Sequence, residues 1–531
     1  PILTSLLLIP AFLLAVRIQT GARNARIQNE TDAEEKDIPI LPYWLPYVGH
    51  APQFAWSFDG LLTTPPNASQ MMGHNHIMIV MPSLTKQFFL QRPTVMTNND
   101  FMNWILDKYF GDGGVSRKMP SEDFQAVHRT LNSLMKDPFL SNATGRITEL
   151  IEEYTHELFS YSADPARQQH WERIAHVIPA GDGTEADLFD LTMNFVGDVS
   201  GEVLMGKALF QNHPTVLDDL WIFDSAFNAF LSGMPPITRK VSEARAARAR
   251  LITAFDDWNR ALATFMNGDD PRHNWRDMSD VSETMKLRAK ALEGIKTSDA
   301  YNAAMNLTIY WGLMVNANKV TFWMLLHIIS SPSLLRIIRE EIAPFAISHS
   351  SPKGKNTLTL EADRLVKSCP NLKATFFEIM RLYTAGTSYK KVLQSLTLTE
   401  SSEDAAAFGK PRPQTYHISQ GDYLIIPHAT MQMDPRLWKD PERFDHTRFL
   451  VEGEKGLSAD IGNLNPFGGG YSVCKGRLFA EREVLLFIAG FVQAWEWEPV
   501  GEGWRLPGKA YNGTGSANPV GSVRVKVRRR S

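Results

Sequence analysis

Helical periodicity recurs along most of this chain and leaves little room for strands, which restricts the fold to a mainly α architecture. Residues 145–160, 187–210, 216–231, 240–267, 301–330, 333–346, 371–384 and 475–495 each read as helices, several with Gly or Pro at their ends. Strand-like pieces are short: HIMIVM at 76–81, YHIS and YLIIP around 416–427, and the alternating VRVKV at 523–527. With 531 residues, 44% of them hydrophobic, the chain can bury a large core. Length alone permits about three or four domains. No linker after residue 50 supports that division, and no internal repeat appears beyond residue 70. The expected fold class is mainly α with small β-sheets, in a single large domain.

Charge narrows the partners. Lys and Arg number 55 against 58 Asp and Glu, a formal charge of −3, so no global field exists to hold a nucleic-acid backbone. Only two cysteines occur, Cys369 and Cys474, which excludes a disulfide scaffold and leaves no cluster for an iron–sulfur centre or a structural zinc. The closing RVKVRRRS reads as a basic tail.

The chain begins with an apolar run, PILTSLLLIPAFLLAV, closed by Arg17. At a helical rise of about 1.5 Å per residue it spans roughly 24 Å, short of the roughly 30 Å hydrocarbon core. The first residue is not Met, so a fuller anchor is expected to precede it. Arg17, Arg23 and Arg26 follow, and by the positive-inside rule they favour a cytosolic position for the remainder. A secretory signal has a similar apolar core. Residues 1–17 are thus expected to be a membrane anchor, 18–50 a polar and Pro-rich linker stiffened by Pro39, Pro42 and Pro46, and 51–531 the main body.

The segment NPFGGGYSVCKGRLFAEREVLLFIAGF is the most informative in chemistry. Gly468, Gly469, Gly470 and Gly476 surround Cys474, and an apolar helical pattern begins just beyond. Glycines permit tight backbone and close approach by a flat ligand. A thiolate near a helix N-terminus has its pKa lowered and can bind a metal. A buried inert cysteine and a catalytic thiol are the competing readings, the second lacking a His nearby in sequence. The glycines also mimic a dinucleotide loop, without the preceding strand or downstream acid.

Phe467, Gly470, Cys474 and Gly476, at the spacing Phe-x-x-Gly-x-x-x-Cys-x-Gly and continued by Arg477, Phe479 and Ala480, resemble the haem-binding loop of the cytochromes P450. The resemblance implies haem b, with Cys474 as the proximal iron ligand whose electron donation favours O–O cleavage. Ser472 stands where many members have a basic residue toward a haem propionate. Glu378 and Arg381 in FFEIMRLY are three apart on a helix and able to pair. Taken alone they are an ordinary surface ion pair. With Cys474 they resemble the family's Glu-x-x-Arg motif, a buried structural pair joined by a later Arg, which the family spacing places at Arg448 rather than Arg443. Lys390, twelve residues beyond Glu378, falls where the family commonly has a propionate ligand, and His128 and Arg129 fall where an early helix contributes another.

YNAAMNLTIYWGLMVNANKVTFWMLLHIISSP reads as a long core helix carrying polar Asn316, Asn318 and Lys319, whose plain explanation is satisfied structural amides. In the family, the central helix delivers protons through an acid and an alcohol, and counting from Trp323 those places hold Val315 and Asn316. An amide can donate or accept a hydrogen bond but does not readily relay a proton. Asn316 here, with WG…NANKVTFW around it, is most similar to the branch of sterol 7α-hydroxylases and prostacyclin synthase. That branch holds both oxygen-consuming hydroxylases and a redox-neutral isomerase. The expected protein is therefore an endoplasmic reticulum monooxygenase acting on a lipophilic sterol, terpenoid or other polycyclic secondary metabolite, its body cytosolic, with electrons from NADPH through a partner reductase. A redox-neutral isomerase or dehydratase of a peroxide-like substrate, and a non-enzymatic haem or lipid-binding protein, are the alternatives.

Overall fold

The computed structural model describes residues 2–29, 35–50, 68–71, 73–233, 235–349, 357–384, 386–454, 456–511 and 515–530. The chain forms two compact units, the first from Pro1–Met102, Ala385–Arg443 and Asn463–Cys474, the second from Asn103–Thr384, Phe444–Gly462 and Lys475–Ser531.

The first unit is built on a five-stranded sheet in the order Ala68–Met71, His74–Met78, Tyr423–Pro427, Thr387–Val392, Met96–Thr97. Only the pair His74–Met78 and Tyr423–Pro427 runs parallel. The apolar run Leu424, Ile425 and Ile426 is buried on both faces, as befits a central strand. Helix Pro82–Leu90, with proline in its first turn, buries Phe88 and Phe89 in the same unit.

One helix runs from Ile2 to Asn29, so residues 18–29, expected in the linker, continue the helix of the anchor segment. Asn24 Nδ2 donates to Ile40 O at 2.7 Å, and an Arg17 guanidinium N–H donates to Pro42 O, fastening the proline-bearing stretch back onto that helix. Among the described residues no single helix is long and apolar enough to cross a membrane.

The second unit is mainly helical around Asp299–Ile329, a helix of 31 residues buried along most of its length and started by the Ser298 side chain, which accepts from Tyr301 N. Seven other read helices appear, as Phe139–Thr155, Leu188–Met205, Val216–Asp224, Arg239–Met266, Pro332–Ile342, Pro370–Tyr383 and Arg477–Ala494; Arg239–Met266, Pro370–Tyr383 and Arg477–Ala494 keep the expected limits closely, and the others are shifted or shortened at one or both ends. The 216–231 pattern breaks after Asp224, whose carboxylate turns inward, and resumes at Phe227–Leu231. Helix Pro370–Tyr383 takes an anionic cap: Glu341 accepts from Asn371 N and Leu372 N at 2.9 and 2.8 Å. Cys369 beside it is buried, its thiol pushed up to about 12 by desolvation, so it stays protonated and structural.

The alternating VRVKV forms the strand expected of it, and the closing basic residues lie inside a sheet rather than on a solvated tail. Arg524–Arg529 lies between Trp495–Pro499 and Gly183–Asp187 in an antiparallel sheet completed by Ile178–Ala180. Asp182, Glu185 and Glu498 pair with Lys526, Arg524 and Arg528.

His170 ties three helical elements of this unit. Its Nδ1 and Nε2 lie 3.0 and 3.1 Å from Asp198 and Asp218 carboxylate oxygens, which push its pKa up to about 10. The folded value exceeds the ordinary 6.5, so the stabilisation is complete below about pH 6.5 and is lost as pH rises toward about 10. The stability difference between the natural protein and His170→Gln, followed by chemical denaturation, should shrink across that window. An unchanged difference would show that the ring does not carry the charge.

Candidate functional site

Cys474 ends a loop that the first unit shapes without help from large side chains. Gly468 and Gly470 have φ of +68° and +59°, the left-handed region that glycine adopts without strain. A Cβ at Gly470 would stand 1.9 Å from the Phe89 carbonyl oxygen, and one at Gly469 would stand 2.6 Å from the Phe89 ring. Both positions are therefore closed to any other residue. The loop returns on itself: Cys474 N donates to Phe467 O at 3.0 Å, and Gly468 N donates to Asn465 O at 3.1 Å. This geometry leaves the Cys474 residue exposed, unlike Cys369. Gly476, in ordinary right-handed backbone, precedes helix Arg477–Ala494.

Lys390 belongs to the same unit and shares the Phe88–Phe89 pair with that loop. It is 4% exposed, its Nζ donates to Phe88 O at 3.3 Å and sits 4.5 Å over the Phe88 ring centroid. No carboxylate pairs with it among the described residues. Burial pushes its pKa down to about 8, which an anionic partner would reverse. An exposed cysteine on a glycine-lined loop, and a buried cation without a carboxylate partner among the described residues, fit a flat anionic group whose iron takes a thiolate.

In the second unit Glu378 and Arg381 are fully buried and paired two-pronged, Nε to Oε2 at 2.7 Å and Nη2 to Oε1 at 2.8 Å. Asp445 N donates to Glu378 Oε1 at 2.8 Å, and Arg448 Nε stands 3.5 Å from the same oxygen. The structure thus brings Glu378, Arg381 and Arg448 together. The Asp445 backbone donor has no sequence signature and was not among the expected members.

His128 and Arg129 lie on helix Ser121–Arg129 and diverge. His128 is half-buried with Nδ1 2.9 Å from Phe124 O, and burial with the nearby Arg288 charge lowers its pKa. Arg129 is exposed and donates to Gln125 O at 3.2 Å. On the central helix Val315 is fully buried, whereas Asn316 is partly open and its Oδ1 accepts from Ser516 N at 2.9 Å. Asn318 Nδ2 donates to Met193 O at 2.8 Å, and Lys319 Nζ lies 3.4 Å from Asp224, a buried pair. Phe110, Phe227 and Phe230 pack in a closed aromatic cluster with Tyr109 and Phe223.

A family model described as cytochrome P450 matches residues 39–510. A protein named cytochrome P450 7A1 from Rattus norvegicus is 26% identical over 333 residues, covering 61% of this chain and 60% of that one. Cytochrome P450 monooxygenase efuG from Hormonema carpetanum is 23% identical over 578 residues, covering 99% and 96%. Cytochrome P450 monooxygenase poxD from Penicillium oxalicum is 23% identical over 482 residues, covering 88% and 89%. The solved structure of retinoic acid bound cyanobacterial CYP120A1 superposes with a TM-score of 0.62 at 16% identity, covering 93% of this chain and 99% of that one. The chain belongs to the cytochrome P450 family, haem-bearing oxidoreductases of the monooxygenase class.

Removing one partner from a buried charge pair leaves the other uncompensated, at a cost of about 3–5 kcal/mol. Arg381→Ala should lose stability on that scale. Arg448→Ala should lose less, its contact being longer and its side chain 13% exposed. Urea unfolding of both variants checks the order, and an equal or larger loss for Arg448→Ala would contradict it.

Proposed function

We propose that this protein inserts one oxygen atom of O2 into a lipophilic substrate, a sterol, terpenoid or other polycyclic secondary metabolite. The observation that carries the reading is the Cys474 loop, with Gly469 and Gly470 held closed by Phe89 and the Cys474 residue exposed. Haem b, when bound, supplies the oxygen chemistry, with electrons from NADPH through a partner reductase. Cys474 is the thiolate that holds the iron, within the stretch from Phe467 to Gly476. Lys390 would neutralise a haem carboxylate, and the resemblance alone names His128 and Arg129 as further donors. Glu378, Arg381 and Arg448 keep helix Pro370–Tyr383 and the 444–449 segment in place. A sterol-like substrate is supported by the relative named cholesterol 7-alpha-monooxygenase from Cricetulus griseus, 26% identical over 317 residues, and a secondary metabolite by the fungal monooxygenases.

The N-terminal helix supports attachment to the endoplasmic reticulum membrane through residues 1–17, with the body facing the cytosol. Phe12, Leu14 and Ile18 are exposed on it, as are Trp44 and Tyr47 in the stretch fastened to it. Aromatic side chains of this kind suit the headgroup level.

Cys474→Ala should abolish the red-shifted Soret band of the ferrous carbonyl adduct, and retention of the band would mean another residue ligates iron. Turnover should require NADPH and reductase. Full product formation with the reductase omitted would sink the monooxygenase reading.

One observation favours a second reading, redox-neutral isomerisation or dehydration of a peroxide-like substrate. Val315 cannot handle protons, and the Asn316 carbonyl is engaged by Ser516 N. Turnover under isotopically labelled O2 separates the two: label in the product excludes the redox-neutral course, and an unlabelled product formed without reductase excludes oxygen insertion.

A further inference from the structure

Asn316 lies at the end of a partly open stretch midway along the central helix. Gly312, one turn earlier on the same face, is exposed, and among the described residues no heavy atom beyond its own stretch of helix lies within 4 Å of where its Cβ would stand. Asn316 closes the end of that open stretch by gripping a turn near the C-terminus. Its Oδ1 accepts from Ser516 N at 2.9 Å. Gly515 has φ of +49°, and a Cβ there would stand 1.8 Å from the same Oδ1. The turn and the amide are thus fitted to each other, since only glycine supplies both the backbone conformation and the space.

The remaining contacts of the turn show what this grip adds. Ala517 O accepts from Trp323 Nε1 at 2.9 Å, and Ala517 N donates to Tyr383 O at 2.8 Å. Trp323 in turn stacks on Tyr383, with ring centroids 3.8 Å apart. Ala517 is therefore tied to both helices and is fully buried, while Gly515 is only half-buried. Ser516 is bridged antiparallel to Thr384 by the backbone, and the Asn316 carbonyl adds a side-chain contact to Ser516 from the open helix face.

We propose that Asn316 is a positioning residue for ligand fit: through its carbonyl it holds the Gly515–Ala517 turn against the open face of the central helix and so sets how much room a ligand finds beyond Gly312. An acceptor oxygen at this position is the required chemistry, and an alcohol, whose oxygen sits one atom closer to the helix, does not reach as far. The ligand half of this inference rests on the haem-thiolate reading, whereas the tether itself does not.

The test uses the haem-loaded full chain and two substitutions. Asn316→Ala removes the acceptor without adding bulk, and Asn316→Asp keeps an acceptor at the same reach. Hydrogen exchange of the 515–518 peptide reports the tether, and the ratio of spectral dissociation constants for imidazole and 4-phenylimidazole reports the room available. Loss of one hydrogen bond to a buried amide should speed exchange by about tenfold in Asn316→Ala. The ligand ratio should change by about threefold or more, a shift of ordinary size for a pocket wall. Asn316→Asp should restore both toward the natural values. Unchanged exchange in Asn316→Ala, changed exchange with an unchanged ligand ratio, or an Asp variant that behaves like Ala would each overturn the proposal. If Asn316→Ala does not fold, Gly515→Ala, which forces the turn off the amide, gives the same two readouts, and natural values of both in that variant would overturn it equally. Absence of any spectral response together with no ferrous-carbonyl Soret band in the natural chain would count against the haem assignment, leaving the exchange result to decide the tether.

Discussion

Glu378 and Arg381 carry full opposite charges at positions that solvent does not reach, and much of the second unit follows from the need to satisfy them. A buried carboxylate is tolerable only when its lone pairs are met. Here Arg381 takes both oxygens, and Asp445 N adds a third donor to one of them. The 444–449 segment must therefore lie along helix Pro370–Tyr383. Once it does, Phe444 stacks on His327 of the central helix at 4.4 Å, and Phe449 meets Phe377 edge-on at 5.8 Å. His327 is itself bonded to Tyr383 at 2.7 Å and held neutral by burial, with its pKa down to about 4. A charge pair, a backbone donor and stacked rings thus fix two helices and a loop as one piece.

The polar residues of the central helix act as separate joints. Asn316 meets Ser516, Asn318 meets Met193, and Lys319 meets Asp224, which also accepts from Trp311 Nε1 at 2.9 Å. Each partner comes from a different part of the unit. For Asn318 and Lys319 the plain structural explanation suffices, because both are buried and engaged. Asn316 differs in standing partly open on the same face as Gly312.

What could be read in advance divides along physical lines. Long helices announce themselves because their periodicity is local, and the Cys474 loop and the Glu378–Arg381 pair because their chemistry sits within a few residues. Arg448 was reachable by counting from a motif. Asp445 N and Ser516 N were not reachable, since a backbone donor leaves no mark on the side-chain alphabet. Strands Ile178–Ala180 and Gly183–Asp187 escaped because GTEAD carries no strong alternation, and its partner lies far along the chain. The alternation of VRVKV marked Arg524–Arg529 as a strand, but the same distance hid its partners. Its charges look like a solvated tail until Asp182, Glu185 and Glu498 are placed beside them. The break after Asp224 was hidden because an inward-turned carboxylate needs a buried cation, and Lys319 is remote in sequence.

That interior strand also fixes an order of events. Strand Gly183–Asp187 pairs with Arg524–Arg529, Ser522 Oγ donates to Asp187, and Leu188 N at the start of the next helix donates to Val523 O at 2.9 Å. The beginning of helix Leu188–Met205 is thus completed by residues that leave the ribosome among the last of those present here. During synthesis, the edge of Gly183–Asp187 waits unpaired on that side, and its neighbour Ile178–Ala180 can cover only the other. Closure of so long a loop is a late step in folding, and until it happens the nascent chain offers an open strand edge that a chaperone or a stray partner could occupy.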